Sequence, residues 1–251
     1  MTPKITIHNS ALFAEYIKSL VRLVPSCKMT FNKDGCAVFG KCGTSIRACM
    51  KTNSASSDTE VSFCLREIQR LHKCMKAIAD FDPQEEIILT FNSSTFLQHS
   101  GAVKFKLRTI KEEVIAECID TPITAVINDD FGFLLTIKGY TDILNYSNVS
   151  SSDKKKVYLS KSDKKICAEL NNKDEALSDS IGFPVSETFN GDWQDVICTD
   201  LETFRLWNVL KTDEVNIQMT DRSVVRIRSS RVSDDGKFTI EADLISRVLK
   251  K

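Results

Sequence analysis

Four cations recur along one predicted helix within the segment Val61–Thr109. Apolar residues at helical spacing form the expected buried stripe of this helix: Ile68, Leu71, Met75 and Ile78. At about 100° per residue, the opposite face carries Arg66, Gln69, Arg70, Lys73 and Lys76, and we expect no acid on it. Solvated helix faces usually mix both signs of charge, so this face indicates an anionic partner. An ordinary solvated surface helix is the alternative.

The sequence lacks the motifs of the common enzyme classes. It has no P-loop, no G-x-S-x-G and no H-E-x-x-H. The adjacent aspartates at 129–130 and 234–235 are typical of turns, because metal-dependent nucleases gather carboxylates from different elements. Cys36, Cys42 and Cys49 lack zinc-binding spacing, and the chain has only three histidines. We therefore predict a protein that is not an enzyme and that uses neither a metal nor a cofactor.

Overall composition describes an ordinary globular protein. Lys plus Arg and Asp plus Glu balance at 34 each, so any basic surface must be local. The nine cysteines are predicted to be buried reduced thiols of an intracellular protein. No apolar run reaches the length of a membrane span, and the N-terminus MTPKITIHNS has no signal-peptide core.

A second amphipathic helix is predicted near the start of the chain, over Ala11–Val24. Asn9 or the serine after it is suited to cap this helix. Lys18 and Arg22 stand four residues apart on the polar side, with Glu15 near them. These two cations are further candidates for contact with an anion.

The pattern of Val61–Thr109 returns 135 residues later in Val196–Leu244. In both segments a short apolar strand leads into a helix, and three strands separated by polar turns follow. A repeat of this length indicates two similar domains of α+β class. We place the first domain at 1–110, an interdomain connector at 111–130 and the second domain at 131–251.

Turn and edge signals complete the secondary-structure prediction. Asn32–Gly35 is a clear hairpin turn. In the second half, Lys138–Val149 is predicted to be a short helix. Ser180–Glu187 contains Pro184, which suits an edge strand because proline cannot donate to a sheet ladder.

The whole chain resembles the trimeric DNA sliding clamps, that is, proliferating cell nuclear antigen (PCNA) and the shorter phage clamps. IQRLHKCMK, at Ile68–Lys76, looks like the second helix of those clamps. GKCGTSIRACMK, at Gly40–Lys51, resembles the strand beside their partner-binding groove. DEVNIQMTDRSVVRIRSS and FTIEADLI resemble their C-terminal strands. The sequence departs from the family in its second domain, where the helices carry few cations, and a phage or viral origin fits this drift.

The resemblance implies a ring of three subunits with helices facing inward and sheets facing outward. Such a ring encircles double-stranded DNA without reading its sequence, and it tethers DNA polymerase and a clamp loader through short peptide motifs. The residues expected to contact DNA are Lys18, Arg22, Arg66, Arg70, Lys73, Lys76, Lys138, Arg205 and Lys211. The residues expected to line the partner-binding groove are Ile46, Ile123, Val126, Val224 and Leu244. Subunits are expected to join by pairing Ala102–Ile110 with Ser180–Glu187 of a neighbour.

Two other functions remain open from the sequence. One is a monomeric polymerase accessory factor of the same fold, held on DNA by charge alone. The other is a DNA-processing nuclease. The expected location is the bacterial cytoplasm for a phage protein and the nucleus for a eukaryotic one.

Overall fold

The computed structural model describes residues 3–43, 46–81, 86–92, 96–110, 127–148, 156–171, 181–191, 196–220 and 224–247. Its helices are α1 (Ser10–Leu23), α2 (Ile68–Phe81), α3 (Ile137–Ser147) and α4 (Leu201–Phe204). The strands of the first half are β1 (Lys4–Ile7), β2 (Cys27–Asn32), β3 (Gly35–Cys42), β4 (Ile46–Thr52), β5 (Ala55–Ser56), β6 (Val61–Leu65), β7 (Ile87–Asn92), β8 (Phe96–Ser100) and β9 (Lys104–Arg108). Those of the second half are β10 (Ile127–Thr136), β11 (Lys156–Ser162), β12 (Lys165–Asn171), β13 (Ile181–Ser186), β14 (Phe189–Asn190), β15 (Ile197–Asp200), β16 (Glu214–Thr220), β17 (Val224–Val232) and β18 (Thr239–Arg247).

The order of elements occurs twice. In the first half, β1 leads to α1, five strands follow, and α2 is followed by β7, β8 and β9. In the second half, β10 leads to α3, five strands follow, and α4 is followed by β16, β17 and β18. The predicted α+β repeat is therefore confirmed, element by element. No helix of the described ranges is long and apolar enough to cross a membrane.

The chain divides into two compact units. Unit 1 comprises Met1–Ile123 and Ser230–Ala242, and unit 2 comprises Thr124–Ser229 and Asp243–Lys251. The tip of the β17–β18 hairpin thus belongs to unit 1, although the sequence repeat places it in the second half. Most of the predicted connector at 111–130 lies outside the described residues. Its last four residues begin strand β10, so this strand starts within the predicted connector.

Unit 1 contains two antiparallel sheet layers and a helix pair. One layer has the order β5-β1-β7-β8-β9, and the other runs β4-β3-β2-β6. Asn9 caps α1 by accepting a hydrogen bond from the backbone N–H of Leu12 at 2.8 Å, as the sequence predicted. The core includes a chain of aromatic rings, Phe13, Phe31, Phe63 and Phe91, whose successive centroids lie 5.5–6.3 Å apart.

The hairpin turn between β2 and β3 is fixed by its polar residues. The Asn32 side-chain oxygen accepts from the backbone N–H groups of Asp34 and Gly35, at 2.9 and 3.1 Å. Gly35 has a φ of 144°, and a Cβ there would lie 2.2 Å from the carbonyl oxygen of Thr52. Only glycine fits this position.

Unit 2 contains a four-stranded sheet of order β13-β12-β11-β15 and a second layer that runs β14-β10-β16-β17-β18. The Thr136 hydroxyl caps α3 by accepting from the N–H of Gly139 at 3.2 Å. Trp207 is fully buried, and its indole N–H donates to the Ser246 hydroxyl at 3.3 Å. Pro184 lies in β13, which is an edge strand of its sheet as predicted.

Helix α4 is much shorter than the sequence predicted. It covers Leu201–Phe204, and turns closed by i+3 hydrogen bonds continue the chain. Lys211 then adopts the left-handed conformation with a φ of 55°. Arg205 and Lys211, both expected to contact DNA, therefore do not lie on one regular helix.

Candidate nucleic-acid interface

Helices α1 and α2 pack side by side and expose a set of cations that we call the cationic surface. The predicted stripe of α2 is confirmed as core, since Ile68, Leu71, Met75 and Ile78 are each at most 2% exposed. Burial of this stripe fixes the rotation of α2 and turns its polar side chains outward. The cationic surface consists of Lys18, Arg22, Arg70, Lys73 and Lys76, all exposed.

Acids lie beside these cations. Asp80, exposed on α2 one helical turn after Lys76, corrects the expectation that this face has none. Glu67 is exposed, and its carboxylate lies 2.6 Å from Nε of Arg70. On α1, the Glu15 carboxylate lies 3.0 Å from Nζ of Lys18. Both pairs are about half exposed to solvent, so each holds its cation only weakly.

The other oxygen of Glu15 contacts a cation that the sequence did not indicate. Nη1 of Arg231, at the tip of the β17–β18 hairpin, lies 3.8 Å from it. Glu15 is thereby shared between Lys18 and Arg231, and the local balance stays positive. No sequence signal could place Arg231 here, because its neighbour in space is far away along the chain.

Three members of the cationic surface are unpaired within the part of the chain that the structure describes. Arg22, Lys73 and Lys76 make no ion pair with a carboxylate of those residues. Arg66 is also exposed, but it lies in the bend between β6 and α2, outside the helix to which the sequence assigned it. The densest unpaired charge therefore lies at Lys73 and Lys76.

His72 indicates how closely the two helices bring their charges together. Burial lowers the pKa of its imidazole most, and the charges of Lys18 and Lys76 lower it further, whereas Glu15 raises it. Lys18 of α1 and Lys76 of α2 therefore both act on the same imidazole, which agrees with the packing of the two helices against each other.

The predicted DNA-contact cations of unit 2 are fewer than those of unit 1. Lys138 is exposed in the first turn of α3. Arg205 follows α4, and its guanidinium lies 2.6 Å from the Glu202 carboxylate. Lys211 is exposed in the turn that follows. Of the cations expected to contact DNA, three thus lie in unit 2 and six in unit 1.

Comparisons with known proteins place this geometry in a recognised fold. No family model matches the chain, and no curated protein matches it. Among solved structures, PCNA from Entamoeba histolytica is similar with a TM-score of 0.72 at 12% identity, covering 100% of both chains. A. fulgidus PCNA bound to the C-terminal region of FEN-1 is similar with a TM-score of 0.71 at 15% identity, covering 99% of this chain and 100% of that one. The chain has the DNA sliding clamp fold.

A third clamp structure gives the same result. The PCNA2–PCNA3 complex from Sulfolobus tokodaii is similar with a TM-score of 0.68 at 12% identity, covering 98% of each chain. Because the match extends over almost the whole of both chains, the clamp fold accounts for both repeats. At such low identity, functional residues of those proteins cannot be assigned to this chain by alignment. The site residues are therefore assigned from the side chains of this chain.

The expected groove residues occupy different environments in this clamp fold. Ile46 and Leu244 are only 2% and 1% exposed, so these two side chains belong to the core and offer no area to a partner. Val224 is half-buried at the start of β17. Ile123 and Val126 lie outside the described residues. Val224 is therefore the described member that keeps some accessible surface.

Eight cysteines belong to the described residues. None of them forms a disulfide bond there, and five are buried. Burial raises the pKa of the Cys36 thiol far above its usual range, and the hydroxyl of Tyr16 lies 3.7 Å from this sulfur. Such protonated, enclosed thiols are unreactive. No group of three potential ligands for a metal ion occurs in the described ranges.

Proposed function

We propose that this chain is a DNA sliding clamp: a polymerase processivity factor that encircles duplex DNA as a homotrimer and tethers replication proteins. The observation that carries this proposal is the cationic surface on α1 and α2 of a chain with the clamp fold over its full length. A scaffold of this kind performs no catalysis, which agrees with the absence of catalytic motifs from the sequence. Its place of action is wherever the DNA of its host is replicated.

Contact with DNA is through phosphates. Lysine and arginine side chains on a helix surface reach the backbone, which is the same at every base pair, so binding is independent of sequence. Binding releases counterions and therefore weakens steeply as salt rises. Exposed Lys73 and Lys76 are the strongest candidates, because they need not break an ion pair with a described carboxylate to bind phosphate.

Assembly into a ring is supported by two open sheet edges. Strand β9 ends the five-stranded sheet of unit 1, and β13 ends the four-stranded sheet of unit 2. Exposed edges invite pairing with another chain. Pairing β9 of one subunit with β13 of the next is a head-to-tail contact, which closes into a ring when the rotation allows.

The charges on the two edges favour this arrangement over self-pairing. Strand β9 exposes Lys104, Lys106 and Arg108 at alternate positions, with Phe105 and Leu107 half-buried between them. Two copies of β9 side by side would bring these like charges together, which is destabilising. Strand β13, IGFPVS, carries no charge. An uncharged edge accepts the cationic strand without this repulsion.

Protein partners enter the proposal through the similar clamps. A. fulgidus PCNA is bound to the C-terminal region of FEN-1, and the Sulfolobus tokodaii structure is a complex of two different PCNA chains. By analogy, we propose that this chain binds DNA polymerase and a clamp loader through short peptide segments. Such peptides dock through a few apolar anchors, and Val224 is a candidate contact for them.

Charge reversal on α2 tests DNA contact. Lys73→Glu with Lys76→Glu changes two exposed side chains and leaves the buried stripe intact, so folding should be affected little. Each lost phosphate contact should lower the slope of log affinity against log salt by about 0.9 for duplex DNA. We expect a salt slope smaller by about 2 and shorter processive synthesis on every template sequence.

The matched control reverses two lysines at hairpin turns, Lys33→Glu with Lys164→Glu. Both are exposed, and the variant has the same net charge as the α2 variant. It should retain most of the native salt slope and processivity. Equal losses in the two variants would show a nonspecific effect of net charge, and a native salt response in the α2 variant would remove α2 from the DNA interface.

A further inference from the structure

His72 lies on α2 between Lys73 and Leu71, among the residues of the cationic surface. It is half-buried on α2, next to the fully buried Leu71, and one helical turn from Lys76. Helix α1 packs against this side of α2 and brings Glu15 and Lys18 close to the imidazole. His72 is therefore a titratable group at the seam between the two helices whose cations face the ligand.

The charged surroundings of His72 are mostly positive. Lys18 from α1 and Lys76 from α2 oppose its protonation, and Glu15 from α1 favours it. Strand β9 also contacts α2 and carries three more exposed cations, Lys104, Lys106 and Arg108. Burial, together with Lys18 and Lys76, lowers the pKa of the imidazole, so it is neutral at neutral pH in the free protein.

A DNA phosphate reverses this balance. When a phosphate approaches Lys18 and Lys76, its negative charge also lies near the imidazole and favours the protonated form. The pKa of His72 then rises on binding, and a protonated imidazole can donate a hydrogen bond to a phosphate oxygen. We propose that His72 is a phosphate-binding residue that takes up a proton when DNA binds. This inference rests on the proposed function, since it makes DNA the ligand of the cationic surface.

Proton uptake makes DNA affinity depend on pH with a definite sign. Above the pKa of the complex, His72 is neutral in both states and affinity is constant. As pH falls below that value, the complex holds the proton more tightly than the free protein does, and affinity rises. Below the lowered pKa of the free protein, both states are protonated and affinity levels off. Uptake of one proton changes the DNA affinity by at most about tenfold per pH unit.

The experiment measures binding of the native protein to a short fluorescein-labelled duplex by anisotropy, from about pH 5.5 to about pH 8 at one salt concentration. We expect binding to be roughly three- to tenfold tighter at the acidic end. His72→Gln should abolish the pH dependence of DNA binding. His72→Lys, a permanent cation, should bind as tightly at the alkaline end as the native protein does at the acidic end. Because this last variant gains affinity, misfolding cannot explain its result.

The other two histidines of the chain provide matched controls. His8 bonds the Ser56 hydroxyl at 2.7 Å, and His99 bonds the carbonyl oxygen of Ile88 at 3.1 Å, and neither lies on α1 or α2. His8→Gln and His99→Gln should keep the native pH dependence. Two results would overturn the role of His72 and leave the proposed function standing. One is a native pH dependence in His72→Gln, and the other is salt-dependent binding by the native protein that does not change with pH. Absence of native DNA binding at every pH would overturn the proposed function as well.

Discussion

Tyr16 shows how a single polar residue is accommodated in the core beneath the cationic surface. Its side chain is fully buried, and its hydroxyl donates to the carbonyl oxygen of Met50 at 3.2 Å. Burial raises the pKa of this phenol well above its usual value, so the group stays protonated and keeps its role as a donor. Tyr16→Phe removes this hydrogen bond and should lower the free energy of unfolding by about 1 kcal/mol, measured by urea denaturation.

The control for Tyr16 is a second tyrosine that loses the same atom. Tyr146 of α3 is 43% exposed, and its ring lies against Phe183 with centroids 4.7 Å apart. Tyr146→Phe keeps that ring contact, and the position stays exposed to solvent. The free energy of unfolding should therefore change by less than about 0.5 kcal/mol. Similar losses of unfolding free energy in the two variants would show that the buried hydrogen bond of Tyr16 adds no stability beyond that of an exposed hydroxyl.

Helix α3 depends on a close approach that only glycine permits. A Cβ at Gly139 would lie 2.5 Å from the carbonyl oxygen of Val185 in β13 and 3.2 Å from the Cβ of Val185. Alanine usually stabilises a helix interior relative to glycine by about 1 kcal/mol. Here the steric overlap with Val185 should outweigh the gain in helix propensity. Gly139→Ala should therefore destabilise unit 2 by roughly 1–3 kcal/mol. Thermal unfolding of the purified variant measures this.

An exposed position on the same helix separates packing from helix propensity. Asn145 lies on the solvent side of α3. Asn145→Ala therefore gains helix propensity without meeting β13, and it should be neutral or slightly stabilising. If Gly139→Ala behaved in the same way, α3 would not pack as closely on β13 as the structure indicates.

Local signals predicted the elements whose cause is local. Asn9 as the cap of α1, the turn at Asn32–Gly35 and the stripe of α2 each depend on residues within a few positions of one another. The end of α4 was not predicted, although its cause is local too. That segment is apolar on most sides, so periodicity gave no stop signal, and the Asn208 side chain ends the turns by accepting from the N–H of Thr212 at 2.9 Å.

The sequence predicted the cations of the candidate site and the acid Glu15 beside Lys18, but not the other ion-pair partners. The spacing of Arg70, Lys73 and Lys76 placed them on one face, since helix geometry alone decides this. The contact of Arg231 with Glu15 joins two distant parts of the chain, and no short-range pattern encodes it. Glu67 was missed because it lies just before the first residue of α2. From there its carboxylate contacts Arg70.

For the whole molecule, the proposed ring predicts the solution mass and its dependence on one strand. The native chain should sediment at three times 28.2 kDa. Successive N–H groups of an edge strand point alternately into its own sheet and outward. Of Phe105→Pro and Lys106→Pro in β9, one therefore removes a bond to β8 and the other removes a bond available to a neighbouring subunit. The variant that removes the outward bond should dissociate the assembly while leaving the free energy of unfolding of the monomer nearly unchanged. A native chain that sediments as a monomer at micromolar concentration would instead favour an accessory factor held on DNA by charge alone.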